Sequence, residues 1–143
     1  MAQRLAQFAL TVRDYDEALA FYVDKLGFEK LEDTDLGGGK RWVRVRPKGS
    51  DAGILLACAA SEREEASVGN QTGGRVFIFI ETTDFWGDFH ALQSRGVNFV
   101  RPPTEQPYGT VAVFEDLYGN LFDLIGPGAV RPPTRPPSPP EPA

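Results

Sequence analysis

Hydrophobic and polar residues alternate in two separate stretches of the chain, which is the pattern of half-buried β-strands. In residues 41–46, RWVRVR, Trp42 and Arg44 fall on one face, and Val43 and Val45 fall on the other. Residues 110–115, TVAVFE, are rich in β-branched side chains, which favour strands. The apolar positions therefore predict a protein built largely from β-sheet.

Residues 107–125 predict a β-hairpin that closes the chain's last sheet. Its strands are 110–115 and 121–125, and the turn between them contains Gly119, which can adopt a positive φ. Asp123 interrupts the second strand between Phe122 and Leu124. Because side chains alternate along a strand, Asp123 points away from these two neighbours. A carboxylate in such a strand needs a partner, or it stays protonated with a raised pKa, unless it faces water.

Residues typical of helix ends lie between the predicted strands. Asp14 and Asp84 are N-cap candidates, and Gly27 and Gly96 are C-cap candidates for helices with apolar residues at helical spacing. The double proline at 102–103 is expected to end a strand that begins at Val97. The remaining predicted strands are residues 5–12, 28–33, 53–59 and 75–81, and a turn is predicted at 35–39.

The two halves of the chain repeat the same order of elements, strand–helix–strand–strand–strand. Asp14 corresponds to Asp84 at an offset of 70 residues, and Leu55 corresponds to Asp123 at an offset of 68. An internal βαβββ duplication explains this match. The fold class is therefore α+β, with two tandem modules closing around a cleft. We expect one domain over residues 1–128, with modules at about 5–60 and 75–127 and a polar linker at 61–74.

Composition narrows the class of protein. The net charge of −5 does not favour a nucleic acid or an anionic membrane as partner, and no apolar run is long enough to span a bilayer. The N-terminal residues lack the apolar core of a signal peptide, so a cytoplasmic location is expected. The single cysteine, Cys58, excludes an internal disulfide and is interpreted as a small buried residue. Residues 129–143 contain repeated prolines, which predicts a disordered tail with polyproline II character.

Two long motifs carry a family resemblance. QFALTVRDYDEALAFYVDKLGFE resembles the opening of vicinal-oxygen-chelate proteins, the superfamily of glyoxalase I, bleomycin-resistance proteins and extradiol dioxygenases. RGVNFVRPPTEQPYGTVAVFEDLYGNLFDLIGP resembles their second half, and together the likeness covers residues 5 to 127. The resemblance implies the paired-module fold. It leaves the function open, because this one scaffold hosts isomerases, ring-cleaving oxygenases, thiol transferases and metal-free drug binders.

The resemblance also implies four equivalent strand positions that hold a metal ion in the family's metalloenzymes. Carried over one at a time, these positions are Gln7, Leu55, Phe77 (or Arg75 or Phe79 if the register shifts) and Asp123. Only Gln7 and Asp123 can ligate, whereas a catalytic site needs about three protein ligands. The single histidine, His90, lies on the second predicted helix. We therefore expect no cofactor, with a divalent ion at Gln7 and Asp123 as the alternative.

The predicted cleft is apolar with a few polar groups, which suits a small amphipathic or cationic organic ligand. The candidate ligand-binding residues are Gln7, Trp42, Arg44, Leu55, Phe77, Phe79, Tyr108, Phe114 and Asp123. The first functional hypothesis is sequestration of a small molecule in the manner of bleomycin-resistance proteins. The alternative is a glyoxalase-like lyase or isomerase, in which Gln7 and Asp123 bind a metal or Asp123 acts alone as general base. The resemblance further implies a homodimer.

Overall fold

The computed structural model describes residues 2–127, so the predicted proline-rich tail lies outside the described residues. The chain divides into two compact units, residues 1–71 and 72–143. Each unit contains one four-stranded sheet, in the order β1-β4-β3-β2 in the first unit and β5-β8-β7-β6 in the second. The α+β architecture and the repeated modules predicted from the sequence are confirmed.

The first unit is built on residues 7–67. Its strands are β1 (Gln7–Val12), β2 (Glu29–Gly37), β3 (Lys40–Arg46) and β4 (Gly53–Cys58). Helix α1 (Tyr15–Leu19) continues directly into a π-helical segment (Ala20–Lys25). The predicted cap at Asp14 is present, because its carboxylate accepts a hydrogen bond from the Glu17 backbone N–H at 2.8 Å. Gly27 ends the helical segment with a φ of 78°.

The region predicted to be a linker contains a short helix, α2 (Glu62–Ser67). Ser61 caps this helix by accepting a hydrogen bond from the Glu64 backbone N–H. The following Gln71 side chain donates to the Ser67 carbonyl at 2.6 Å and to the Thr11 hydroxyl at 3.0 Å, which ties the segment to β1. The sequence did not reveal α2, because six mostly charged residues carry no apolar periodicity.

The second unit repeats the arrangement with one helix. Its elements are β5 (Val76–Glu81), α3 (Phe85–Ser94), β6 (Phe99–Gln106), β7 (Gly109–Glu115) and β8 (Leu121–Gly126). Asp84 caps α3 through the Gly87 backbone N–H, as predicted. A side chain at Gly87 would meet the Asp84 carboxylate, and a side chain at Gly126 would meet the Cβ of Phe85. Glycine at these positions lets the cap close and lets α3 approach β8.

The hairpin prediction is confirmed, whereas the strand before it was placed wrongly. Strands β7 and β8 pair antiparallel with Phe114 opposite Phe122. The double proline at 102–103 does not end β6, which runs through both residues. β6 is the outer strand of its sheet and its pairing with β7 shifts register between Arg101 and Thr104. An outer strand tolerates proline because a missing N–H there costs little ladder pairing.

Each sheet has a core face and a far face. The core face packs against the helix of the same unit, and the far face is the opposite side. In the first unit Leu10, Val43 and Val45 are fully buried on the core face. In the second unit a chain of ring contacts runs from Phe89 through Phe99 and Phe114 to Phe122. Among residues 2–127, no helix is long and apolar enough to cross a membrane.

Candidate functional site

A hydrogen-bonded pair occupies the far face of the first sheet. Arg44 on β3 donates from Nε to Oε1 of Gln7 on β1 at 2.6 Å. Strand β4 lies between these two strands, and Gly53 of β4 lies beside the guanidinium, where an added Cβ would be in van der Waals contact with Nη2 at 3.4 Å. Nη1 of Arg44 also lies 3.8 Å from the Glu32 carboxylate. Gln7 therefore presents its amide with the carbonyl oxygen already bound to a cation.

Trp42 and Leu55 line a cavity of about 490 Å³ in the same unit, a volume within the range of small-molecule sites. The cavity lies between the β2–β3 turn and the end of β4. Other lining residues include Tyr15, Lys40, Arg41, Ala57 and Cys58. Burial, followed by the carboxylate of Asp14, raises the pKa of the Cys58 thiol, so it lines the cavity as a protonated group and not as a thiolate nucleophile.

Arg41 is held rigidly at the edge of this cavity. Its guanidinium donates to both carboxylate oxygens of Asp33, at 3.1 and 2.8 Å, and lies 3.0 Å from Asp16. It also lies over the Tyr15 ring, 5.1 Å from the ring centre. The hydrogen bond from Arg41 holds the pKa of Asp33 below its ordinary value, and the same bond raises the pKa of Arg41. This cation is therefore neutralised within the first unit.

Asp123 lies on the far face of the second sheet and is only 3% exposed. It is directly opposite Phe79 on β5 and Val113 on β7, and Val113 is in turn opposite Arg101 on β6. Residues opposite each other in a sheet project to the same side. The far face therefore carries one row of four side chains, in the order Phe79, Asp123, Val113 and Arg101.

Tyr108 lies in the turn between β6 and β7. Burial raises the pKa of the Tyr108 phenol, and the negative charge of Asp123 raises it further. At neutral pH the Tyr108 hydroxyl is protonated and is able to donate a hydrogen bond.

The structure distributes the site residues predicted from the sequence over both units. In the first unit it brings Gln7 and Arg44 into contact and places Trp42 and Leu55 on one cavity wall. In the second, Phe79 lies opposite Asp123 and is 45% exposed. Phe77 lies where the pairing of β5 with β8 shifts register, between Val76 and Ile78.

Phe114 corrects the predicted site. It is 1% exposed and stacks on Phe122, with ring centres 5.0 Å apart, on the core face. Its position opposite Phe122 puts it on the other side of the sheet from Asp123. Phe114 is a core residue of the second unit and not a wall of a ligand site.

The residues at the four ligand positions do not form the donor set of a divalent ion. The Gln7 oxygen accepts a guanidinium N–H, and a fixed positive charge beside a ligand disfavours a metal cation. Leu55 has no donor atom, and the residue opposite Asp123 on β5 is Phe79. Within residues 2–127, no group of three or more His, Cys, Asp or Glu side chains could hold a metal ion.

The sequence analysis missed Arg101. The predicted strand of residues 97–100 stopped before this residue, whereas Arg101 lies within β6. Its guanidinium Nη1 is buried and has no hydrogen-bond partner in the described part of the chain. Strand alternation could not have placed Arg101, because the pairing of β6 with β7 shifts register between Phe99 and Arg101.

Known proteins are similar to this chain in sequence or in fold. An uncharacterized protein of Shewanella frigidimarina (strain NCIMB 400) is 56% identical over 127 residues, covering 87% of this chain and 94% of that protein. The crystal structure of UcmS2 matches with a TM-score of 0.76 at 32% identity, over 87% of this chain and 98% of that one. TnmS3, an antibiotic binding protein from Streptomyces sp. CB03234, matches with a TM-score of 0.71 at 30% identity, over 89% and 98% of the two chains.

The family assignment covers both units. The model of the Glyoxalase/Bleomycin resistance protein/Dioxygenase superfamily matches residues 4–124, which include all eight strands except the end of β8. The match agrees with the two four-stranded sheets and with the paired motifs in the sequence. This chain therefore belongs to the Glyoxalase/Bleomycin resistance protein/Dioxygenase superfamily.

Proposed function

We propose that this protein binds a small amphipathic organic molecule and does so without a catalytic metal ion. The observation that carries the proposal is the 490 Å³ cavity of the first unit, which has Trp42 and Leu55 in its wall. An indole and an aliphatic side chain offer a surface for a flat apolar ligand, and nearby polar groups orient it. The similarity to TnmS3, an antibiotic binding protein, supports this class of ligand.

The metal-independent part of the proposal rests on Arg44. A divalent ion at Gln7 would have to displace the guanidinium from the amide oxygen, which it approaches at 2.6 Å. The charge–charge repulsion between the ion and Arg44 would oppose binding even after displacement. Calorimetric titration with Zn²⁺ and Ni²⁺ tests this point. Stoichiometric binding that is lost in Asp123→Asn would overturn it.

Tryptophan fluorescence provides a direct test of ligand binding. The chain contains two tryptophans, and Trp86 on α3 is 48% exposed, so Trp86→Phe leaves Trp42 as the single reporter. We expect bleomycin or an aromatic probe such as 2-naphthoate to change the emission of Trp86→Phe at saturable concentrations. The matched variant Trp42→Phe should lose this response while keeping its fold by circular dichroism. Absence of saturable binding by calorimetry for both probes would contradict the proposal.

Asp123 supports a second candidate function, that of a metal-independent lyase or isomerase. The carboxylate is 3% exposed, which suits a general base, and its charge adds to the effect of burial in raising the pKa of the Tyr108 phenol. The test is turnover of the hemithioacetal of methylglyoxal and glutathione by the metal-free protein. Turnover that Asp123→Asn abolishes would favour this function over sequestration.

The homodimer is also part of the proposal, because the family resemblance implies paired chains. Light scattering at micromolar concentration measures it directly. We expect a mass near twice the 15.7 kDa of the chain. A mass equal to that of one chain would contradict the dimer.

A further inference from the structure

The cavity of the first unit lies where strands β3 and β4 separate. Their pairing ends at Val43 opposite Leu56, although β3 extends to Lys40 and β4 extends to Cys58. Beyond this point β3 stays paired with β2, and β4 stays paired with β1. The two separated strand ends line the cavity, together with the β2–β3 turn and Tyr15. A gap of this kind leaves backbone groups that need other hydrogen-bond partners.

The Tyr15 side chain supplies one of these partners. Tyr15 is the first residue of α1 and only 8% exposed, and its hydroxyl oxygen accepts a hydrogen bond from the Arg41 backbone N–H at 3.2 Å. A phenol accepts and donates at the same time. Within residues 2–127, the proton of the Tyr15 hydroxyl has no acceptor. Because buried donors are nearly always paired, this unused donor at the wall of a cavity indicates a ligand contact.

The other donors in the cavity wall are either engaged or open to solvent. The Arg41 guanidinium is held by two carboxylates. The Cys58 thiol donates to a backbone carbonyl at 3.3 Å. Lys40 is exposed and Trp42 is partly exposed, so solvent reaches both side chains. Tyr15 is therefore the side chain of this wall that combines burial with a donor left for a ligand.

We propose that the Tyr15 hydroxyl donates a hydrogen bond to a neutral carbonyl oxygen of the ligand, so that the ligand is an aromatic carbonyl compound held in the cavity of the first unit. Trp42 in the same wall contacts its ring. Lys40 and Glu64 line the cavity with opposite charges, so the wall has no excess of positive charge that would select an anion. This inference rests on the proposed binding function and adds the class of ligand and the residue that selects it.

Two probes of nearly the same shape isolate the hydrogen bond. 2-Acetylnaphthalene carries a carbonyl oxygen, whereas 2-isopropenylnaphthalene has a methylene group in its place. Calorimetry in buffer with a fixed fraction of dimethyl sulfoxide measures the affinity for each probe. The hydrocarbon is the more hydrophobic of the two, which favours its burial in any apolar cavity. Comparing the ketone-to-hydrocarbon affinity ratio between variants removes this difference, because it is the same in every chain.

Tyr15→Phe deletes the hydroxyl and keeps the ring. We expect the ketone-to-hydrocarbon affinity ratio to fall at least about fivefold, because only the ketone loses a hydrogen bond. The affinity for the hydrocarbon should stay within about twofold of the wild-type value, since the ring still fills the wall. The matched control is Tyr118→Phe in the β7–β8 turn of the second unit, which should leave the ratio unchanged. Circular dichroism compares the melting of the three chains.

A second measurement needs no variant, which matters because Tyr15→Phe also removes the acceptor of the Arg41 N–H. A hydrogen bond from a phenol lowers the stretching frequency of a carbonyl group. We expect infrared spectra of 2-acetylnaphthalene, labelled with ¹³C at its carbonyl carbon and bound to the wild-type chain, to show this band below its position in hexane. In Tyr15→Phe the band of the bound ketone should move back toward the hexane position.

The possible results separate this inference from the function on which it rests. An unchanged affinity ratio in Tyr15→Phe, an equal fall in Tyr118→Phe, or a bound carbonyl band at the hexane position overturns the role of Tyr15 and leaves small-molecule binding intact. Binding of 2-naphthoate without binding of the ketone overturns the carbonyl selectivity alone. Binding of neither new probe, of bleomycin or of 2-naphthoate overturns both proposals. An equal loss of affinity for both probes in Tyr15→Phe, with unchanged melting, would show an effect on cavity shape and overturn the selectivity.

Discussion

The two units have the same strand order, but their charged side chains occupy different positions in the corresponding rows of the far faces. The row in the first unit is Ala9, Leu55, Arg44 and Glu32, and the row in the second is Phe79, Asp123, Val113 and Arg101. In the first row, Arg44 and Glu32 lie on adjacent strands, and Arg44 also binds Gln7. In the second row, Val113 lies between Arg101 and Asp123, and Nη1 of Arg101 has no acceptor within residues 2–127. The two rows thus share their backbone pairing and differ in whether the cation and the acid lie on adjacent strands.

We expect the largest effects from substitutions in the two core faces. Both should lower the free energy of unfolding, with the greater loss in the second unit. Phe114 occupies the position that corresponds to Val45 in the first unit, and both are buried. Phe114→Ala should lower the free energy of unfolding by about 3–5 kcal/mol, because it removes a stacked ring from a packed core. Val45→Ala should cost roughly 2 kcal/mol, since fewer buried methyl groups are lost. Denaturant unfolding measures both. A small loss in Phe114→Ala would return this residue to the candidate ligand site.

The two arginines provide the sharpest contrast between the far faces. Arg44→Met removes a charge-assisted hydrogen bond to Gln7 and should lower the free energy of unfolding by about 1.5–3 kcal/mol. Arg101→Met should leave stability unchanged or increase it, because it removes a buried polar atom that lacks an acceptor in the described chain. Denaturant unfolding without ligand measures both variants. Equal losses would show that Arg101 is stabilised by contacts comparable to those of Arg44.

The Arg41–Asp33 ion pair belongs to the first unit alone. At an offset of 69 residues the corresponding positions are Pro102 and Thr110, which cannot form an ion pair. Asp33→Asn should lower the free energy of unfolding at neutral pH by about 0.5–1 kcal/mol, as for a partly exposed bidentate pair.

The pH dependence of this pair follows from the lowered pKa of Asp33. Its stabilisation is present above the unfolded-state pKa of about 4 and disappears as the pH falls through the lower folded-state pKa. Thermal melts of wild type and Asp33→Asn should therefore converge in acid. A difference that persists at low pH would mean that Asp33 contributes through packing and not through its charge.

Tyr108 provides the smallest effect and tests the electrostatic link on the second far face. Burial, and then Asp123, raises the pKa of its phenol. Because this pKa is raised in the folded state, its stabilising contribution is present below the unfolded-state value of about 10 and declines as the pH rises through the folded-state value. Asp123→Asn should lower the Tyr108 pKa only in part, since burial remains. Ultraviolet titration of the phenolate measures the change, and Tyr108→Phe identifies the signal. An unchanged titration would show that the charge of Asp123 does not affect the pKa of Tyr108.

Sequence reasoning predicted the features that depend on local pattern. The hairpin of β7 and β8, the caps at Asp14 and Asp84 and the duplicated order of elements all follow from periodicity and from residues with strong positional preferences. The role of Phe114 depended on which side chains oppose each other across β7 and β8. The course of β6 depended on its place at the edge of the sheet. The order of strands is fixed only in the assembled sheet, so the sequence alone did not show that β6 is an outer strand. For this reason Pro102 and Pro103 were predicted to end the strand, and Arg101 was missed.

The prolines of β6 also influence how chains can meet one another. An outer strand normally offers its unpaired N–H and C=O groups as a template for a strand from another molecule. β6 contains Pro102 and Pro103, which supply no N–H, and a register shift that bends the ladder at the same place. A second chain added there would form a broken ladder. The second sheet is thus less suited to strand addition at β6 than at its other outer strand, β5.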